Sequence, residues 1–171
     1  KGEANAGGLW IVIGGKEEIY KKSLPVLEPI SATTHFMGKG GNGAKMKLVG
    51  NLLVASQLVS IGEGLTLAKS AGLDLRKVLE VVGIADFKTP IYSGVGAGAI
   101  AGDYEVHFPL KLMLKDARLI QAFAKRFNSP ASSAVVTEEL AKAGVDAGLG
   151  ELNASAIVKV MADRVGVDLV E

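Results

Sequence analysis

From Asn42 to about Ala71 the chain has no proline and repeats apolar residues at helical spacing: Met46, Leu48, Val49, Leu52, Leu53, Leu58, Val59, Leu65 and Leu67. This pattern predicts one unbroken helix, about 40 Å long at 1.5 Å per residue, with Gly72 as its C′ residue. A helix of that length bridges or spans a whole domain, so it organises whatever lies on either side. After it only helical patterns follow, over 74–82, 89–101, 110–127, 132–143 and 153–165. Before it the period is different. Leu9-Trp10-Ile11-Val12-Ile13 is a β-branched apolar run closed by Gly14-Gly15 and reads as a strand. Lys16 to Leu27 reads as a helix, blunted by Pro25 and ended by Pro29, and Thr33 to Met37 as a second strand. Residues 1–37 are thus strand, helix, strand, attached to a helical body. A two-stranded sheet is marginal alone, so these strands ask for a larger sheet.

Composition sets limits on function. The 171 residues, 49% hydrophobic and 22% charged, suffice for one domain or slightly more with a core of its own. With no cysteine, disulfides, thiolate metal sites and a cysteine nucleophile are excluded. Nineteen basic and eighteen acidic residues give a net charge of +1 with no basic stripe, so no nucleic-acid partner is expected. The uncharged run between Lys47 and Glu63 contains Gly50, Asn51, Ser56, Gln57 and Ser60 and is expected to be too short and too polar to span a bilayer. No signal-peptide pattern opens the chain, which gives a cytoplasmic expectation. Lys1 in place of an initiator Met reads as the start of a fragment.

Gly38-Lys39-Gly40-Gly41-Asn42-Gly43 matches G-x-G-x-x-G between a strand and a helix. A dinucleotide fingerprint needs a short helix returning to a parallel strand that bears an acidic residue. This helix instead leads into more helices. The glycines are therefore read first as a tight structural turn. Amides at a positive helix end facing an anionic ligand are the other role.

Lys47 and Asn51, four apart, share a helix face among apolar neighbours. By spacing alone, a lysine near a helix start snorkels to solvent. Lys111 and Lys115 also share a face and repel unless an anion or Asp116 offsets them. His35 and His107, isolated and without cysteine, read as structural or solvated, not as metal ligands. Glu138, Glu139, Lys142 and Asp146 read as a solvated helix face. Gly94, Gly96, Gly98 and Gly102 suit either a flexible loop or close helix contacts inside an oligomer.

Two blocks carry a resemblance. Gly38 to Leu53, a glycine-rich turn followed by K-x-x-x-N at Lys47 and Asn51, resembles the interdomain helix of the β-hydroxyacid dehydrogenase (3-hydroxyisobutyrate dehydrogenase-like) family. Phe108-Pro109-Leu110-Lys111 through Lys115-Asp116-Ala117-Arg118-Leu119 is similar to the same family's later F-x-L-K-x-x-x-K-D motif. The wording Gly43-Ala44-Lys45-Met46-Lys47-Leu48 is most similar to the glyoxylate and succinic semialdehyde reductase branch.

The resemblance implies a mainly α chain, the C-terminal helical domain of a 6-phosphogluconate-dehydrogenase-like fold. Residues 1–37 would be the remnant of a dinucleotide-binding Rossmann domain, and 38–171 an all-helical substrate and oligomerisation domain. It implies Lys47 as the catalytic ammonium, Asn51 as its orienting and substrate-binding neighbour, Asp116 as a polar partner at the substrate, and Phe108 and Lys115 against a nicotinamide cofactor, NADP or NAD. The partners implied are a small carboxylate substrate and further copies of the chain. Burial among apolar neighbours is expected to lower the Lys47 pKa. Gly50 stands where relatives commonly carry a larger residue, which implies either a close approach there or loosened packing. The family's fingerprint and first substrate loop match nothing in this chain, so alone it is expected to be poorly active. A non-catalytic oligomerisation scaffold of the same fold is the rival reading, and the intact Lys47 favours the enzyme.

Overall fold

The computed structural model describes residues 5–86 and 88–171. Residues 1–4, where the N-terminal remnant is expected to begin, lie outside the described residues. The chain divides into two compact units, Lys1–Gly50 and Asn51–Glu171.

The first unit holds β1 (Leu9–Ile13), α1 (Glu17–Leu27), a 3-10 turn (Glu28–Ile30) and β2 (Ser31–Phe36). It also holds the first turns of α2 (Asn42–Ser70). β1 and β2 pair in parallel, Trp10 opposite Thr33 through Ile13 opposite Phe36, with a register shift between Leu9 and Trp10. α1 returns over the pair and stacks Tyr20 on Phe36, ring centroids 5.1 Å apart. Pro25 is accommodated inside α1, and Pro29 falls in the 3-10 turn. Among the described residues of this unit only Gly43 is buried, and Trp10 is 83% exposed. The sheet therefore has no core of its own.

The glycine turn has a structural use. A Cβ on Gly43 would stand 2.6 Å from the Val12 carbonyl oxygen, and one on Gly14 would stand 2.6 Å from the Lys39 carbonyl oxygen. The end of β1 and the start of α2 thus touch backbone to backbone, which only glycine permits. Asn42 donates through Nδ2 to the Met37 carbonyl at 2.7 Å and closes the turn.

The second unit contains the rest of α2 with α3 (Leu75–Ile84), α4 (Pro90–Ala101), α5 (Leu110–Arg126), α6 (Ser132–Asp146) and α7 (Ala156–Arg164). Ala55, Leu58 and Val59 of α2 meet Leu110 and Met113 of α5, Leu140 of α6 and Ile157 of α7 in one cluster. Ile61, Leu65 and Ala68 meet Leu75 of α3, Ala99 and Ile100 of α4 and Val158 of α7 in a second. Spacings of three and four along α2 put these residues on one stripe.

Helix ends follow local chemistry. Gly72 at φ +78 closes α2, with the Leu73 amide on the Ala68 carbonyl at 2.9 Å. Asp74 and Thr89 cap α3 and α4 through their side chains. The glycine-rich segment 94–102 is helix up to Ala101, and Gly96 is buried where a Cβ would collide with Leu79. The close contact is thus made within the chain, between α3 and α4. α7 starts later than the expected residue 153, because Asn153 is committed elsewhere, as shown below.

The uncharged run between Lys47 and Glu63, expected to be too short and too polar to span a bilayer, lies inside the longer α2. At 29 residues, with a window of mean hydropathy 1.4, α2 is long and apolar enough by length and composition. It is nevertheless placed as a core helix, since Ala55, Leu58, Ile61, Leu65 and Ala68 are buried against the other helices of its unit.

Candidate functional site

Asn51 and Asp116 lie 65 residues apart in sequence. Asn51 donates from Nδ2 to Asp116 Oδ2 at 2.7 Å. Asp116 projects from α5 beside Met113 and Ala117, the buried stripe of that helix, and is itself only 3% exposed. A buried carboxylate requires partners for its oxygens. Here Oδ2 receives the Asn51 amide, and Oδ1 pairs with Lys115 Nζ at 2.8 Å. Lys115 remains 53% exposed, so its ammonium spans from the buried carboxylate to solvent.

The arrangement has a chemical consequence for Asn51. Because its amino group is drawn to Asp116, its carbonyl oxygen Oδ1 is the atom left to accept a hydrogen bond from another group. An amide so held is oriented before any ligand arrives.

The expected repulsion between Lys111 and Lys115 is answered inside the chain. Lys111 Nζ binds both carboxylate oxygens of Glu151, at 2.6 and 2.8 Å, while Lys115 takes Asp116. No external anion is needed to hold either lysine.

Lys47 stands on the first turns of α2 and is exposed. Its expected burial is not found. The apolar residues beside it in sequence point elsewhere, since each residue turns 100° about the helix, and Val49 is itself exposed. Gly50 is also resolved: a Cβ there would meet nothing within 4 Å, so no close approach within the chain requires glycine.

Phe108 is half-buried and packs on the cluster around Leu110 and Ile157. His35 and His107 are both exposed. Glu138 and Glu139 are not merely a solvated face. Arg118 Nε and Gln121 Nε2 of α5 donate to Glu138 at 2.8 and 2.7 Å, and Arg164 of α7 pairs with Glu139 at 3.0 Å. Hydrogen bonds from Arg118 and then Gln121 hold the Glu138 carboxyl below the usual carboxylate range.

Sequence reasoning missed one residue beside the site. Asn153 accepts through Oδ1 from the backbone amides of His107 and Phe108, at 3.3 and 3.0 Å. An asparagine just before an apolar run has the signature of a helix cap, and nothing local points to a segment more than forty residues earlier.

The family model described as NAD-binding of NADP-dependent 3-hydroxyisobutyrate dehydrogenase matches residues 41–161. Glyoxylate/succinic semialdehyde reductase 2, chloroplastic, of Arabidopsis thaliana is 33% identical over 161 residues, 94% of this chain and 45% of that protein. Glyoxylate/succinic semialdehyde reductase 1 of the same plant is 30% identical over 161 residues, 94% of this chain and 56% of its own. Among solved structures, 3-hydroxyisobutyrate dehydrogenase from Salmonella typhimurium has a TM-score of 0.85 at 23% identity, covering 92% of this chain and 56% of that one. At that identity the likeness concerns the fold. The chain spans about half the length of the curated relatives it matches.

Proposed function

The chain belongs to the family of NAD-binding domains of NADP-dependent 3-hydroxyisobutyrate dehydrogenases, and from that premise we propose that it is the C-terminal half of a reductase of small aldehyde or 2-oxo acids, of glyoxylate or succinic semialdehyde type. In this reading residues 38–171 form the helical substrate and oligomerisation domain, and 1–37 are the last elements of a dinucleotide-binding domain. The cofactor class of the family is a nicotinamide dinucleotide, NADP or NAD.

The observation that carries the reading is the 2.7 Å bond from Asn51 to Asp116. It joins Asn51 of the K-x-x-x-N block to Asp116 of the K-D block, two candidate site residues 65 positions apart in sequence.

The donor set suits the cofactor class. Phe108 offers an apolar ring, and Lys115 an ammonium steadied by a buried carboxylate, the chemistry that a nicotinamide and the phosphates of a dinucleotide require. When bound, the cofactor supplies the hydride that reduces the substrate carbonyl. Lys47 Nζ gives its proton to the carbonyl oxygen as negative charge develops there, which both stabilises that charge and completes the alcohol. Asn51 Oδ1 accepts a hydrogen bond from the product hydroxyl, and Asp116 keeps the Asn51 amide turned for this task. Leu53 and Leu67, exposed along α2 at 56% and 71%, supply apolar surface for a second copy of the chain.

Steady-state kinetics of the complete enzyme with glyoxylate and with succinic semialdehyde test the assignment. Lys47→Ala is expected to lower turnover on the order of 10²–10⁴-fold. Lys45→Ala, whose ammonium donates to Asn42 Oδ1 at 3.2 Å in the turn, is expected to be nearly silent. Equal losses in the two variants would overturn the reading, and so would wild-type turnover in Lys47→Ala.

A further inference from the structure

The segment between α6 and α7 is tied to the start of α5 and the segment before it by four backbone hydrogen bonds, two of which flank Pro109 and Asn153 and pair them. The Asn153 amide donates to the Tyr104 carbonyl at 3.2 Å, and the Ala154 amide to the Phe108 carbonyl at 2.8 Å. Pro109 forms an isolated antiparallel bridge with Asn153. The Leu110 amide donates to the Leu152 carbonyl at 2.8 Å, and the Lys111 amide to the Gly150 carbonyl at 3.1 Å.

The last two bonds cap α5. Its N-cap position is Pro109, whose side chain makes no capping bond. The first amides of a helix need acceptors, and here the carbonyls of Gly150 and Leu152 provide them. The amides just before the helix, on His107 and Phe108, are also drawn to one point, the Asn153 side-chain oxygen. Asn153 Nδ2 in turn donates to Ser155 Oγ at 2.9 Å, which fixes which end of the amide faces the loop. Ser155 is buried.

We propose that Asn153 is a positioning residue for the cofactor: its amide fixes the backbone that carries Phe108 and the start of the helix that carries Lys115. It touches neither cofactor nor substrate and acts through Phe108. This rests on the reading of Phe108 and Lys115 as cofactor-facing. The chemistry needed at position 153 is a planar acceptor that takes two amides at once, so aspartate can replace asparagine there, with Ser155 Oγ turning from acceptor to donor. Alanine cannot.

Titration of the complete enzyme with NADPH and with NADH, followed by the fluorescence of the bound nicotinamide, gives the first readout. Asn153→Ala is expected to weaken binding by on the order of tenfold, the scale of two lost hydrogen bonds, and Asn153→Asp to restore it to within about twofold. Wild-type affinity in Asn153→Ala, or equal weakening in both variants, overturns the proposal. Phe108→Ala separates the proposal from its premise: unchanged affinity there overturns the reading of Phe108 and with it the link to the cofactor. Amide hydrogen exchange in the unsubstituted protein is a second readout, independent of any variant's folding. The His107 and Phe108 amides are expected to exchange more slowly than that of exposed Val106, and equal rates overturn the clamp itself.

Discussion

Asn51 donates its side-chain amide to Asp116 from a helix more than sixty residues upstream, and the carboxylate that receives it is almost wholly buried. Such a pair is strong evidence of a fixed geometry, because a buried carboxylate that loses a donor bears its desolvation without return. A double-mutant cycle with Asn51→Ala and Asp116→Ala, followed by urea denaturation, is expected to give a coupling of about 0.5–3 kcal/mol. Strictly additive losses would show that the two side chains do not depend on each other.

Two glycines on or beside the same helix are expected to respond in opposite ways to alanine. At Gly50 the added methyl meets nothing within 4 Å, and a helix-interior glycine costs about 1 kcal/mol relative to alanine. Gly50→Ala should therefore raise the melting temperature. At Gly43 the methyl would strike the Val12 carbonyl oxygen, a backbone atom that cannot swing aside. Gly43→Ala should lower stability by about 1–3 kcal/mol. Thermal melts of the two variants side by side check both signs.

The bonds from Arg118 and Gln121 to Glu138 link α5 to α6 and give stability a dependence on pH. The folded state holds the Glu138 carboxyl below its unfolded value. Its contribution is therefore complete above the ordinary carboxylate range and is lost as pH falls through the lowered folded value. The pair is solvent-accessible, so the size is about 1 kcal/mol or less. Denaturation midpoints measured from pH 7 down to pH 3 should fall less steeply for Glu138→Gln than for the unsubstituted chain.

The helices were legible because their apolar spacing is a local property. α2 begins at Asn42 as read, and the strands fall within a few residues of the β-branched runs. What spacing could not convey is which faces meet. Lys47 and Asn51 share a helix face, yet Asn51 is half-buried with a carboxylate partner and Lys47 is exposed. Nothing in the local sequence distinguishes them. Glu138 looked like one member of a solvated row because its partners lie on another helix. The link from the K-x-x-x-N block to Asp116 was suggested by a family likeness, not by period or charge. Asn153 escaped notice because its hydrogen bonds reach backbone amides, which leave no mark on the sequence that contains them.

The two connections flanking α6 differ in how they are held, and this bears on engineering. The turn through Asn128, which adopts φ +49, lies among exposed residues at Phe127, Ser129 and Pro130 and returns only to the end of its own helix. The connection through Gly150, Leu152 and Asn153 supplies the cap of α5 and the clamp on Phe108. New chain ends for circular permutation, or an inserted peptide or reporter domain, therefore belong between Phe127 and Pro130. The same insertion beyond the far end of α6, between Gly150 and Asn153, would separate carbonyls that must stay in register with the start of another helix.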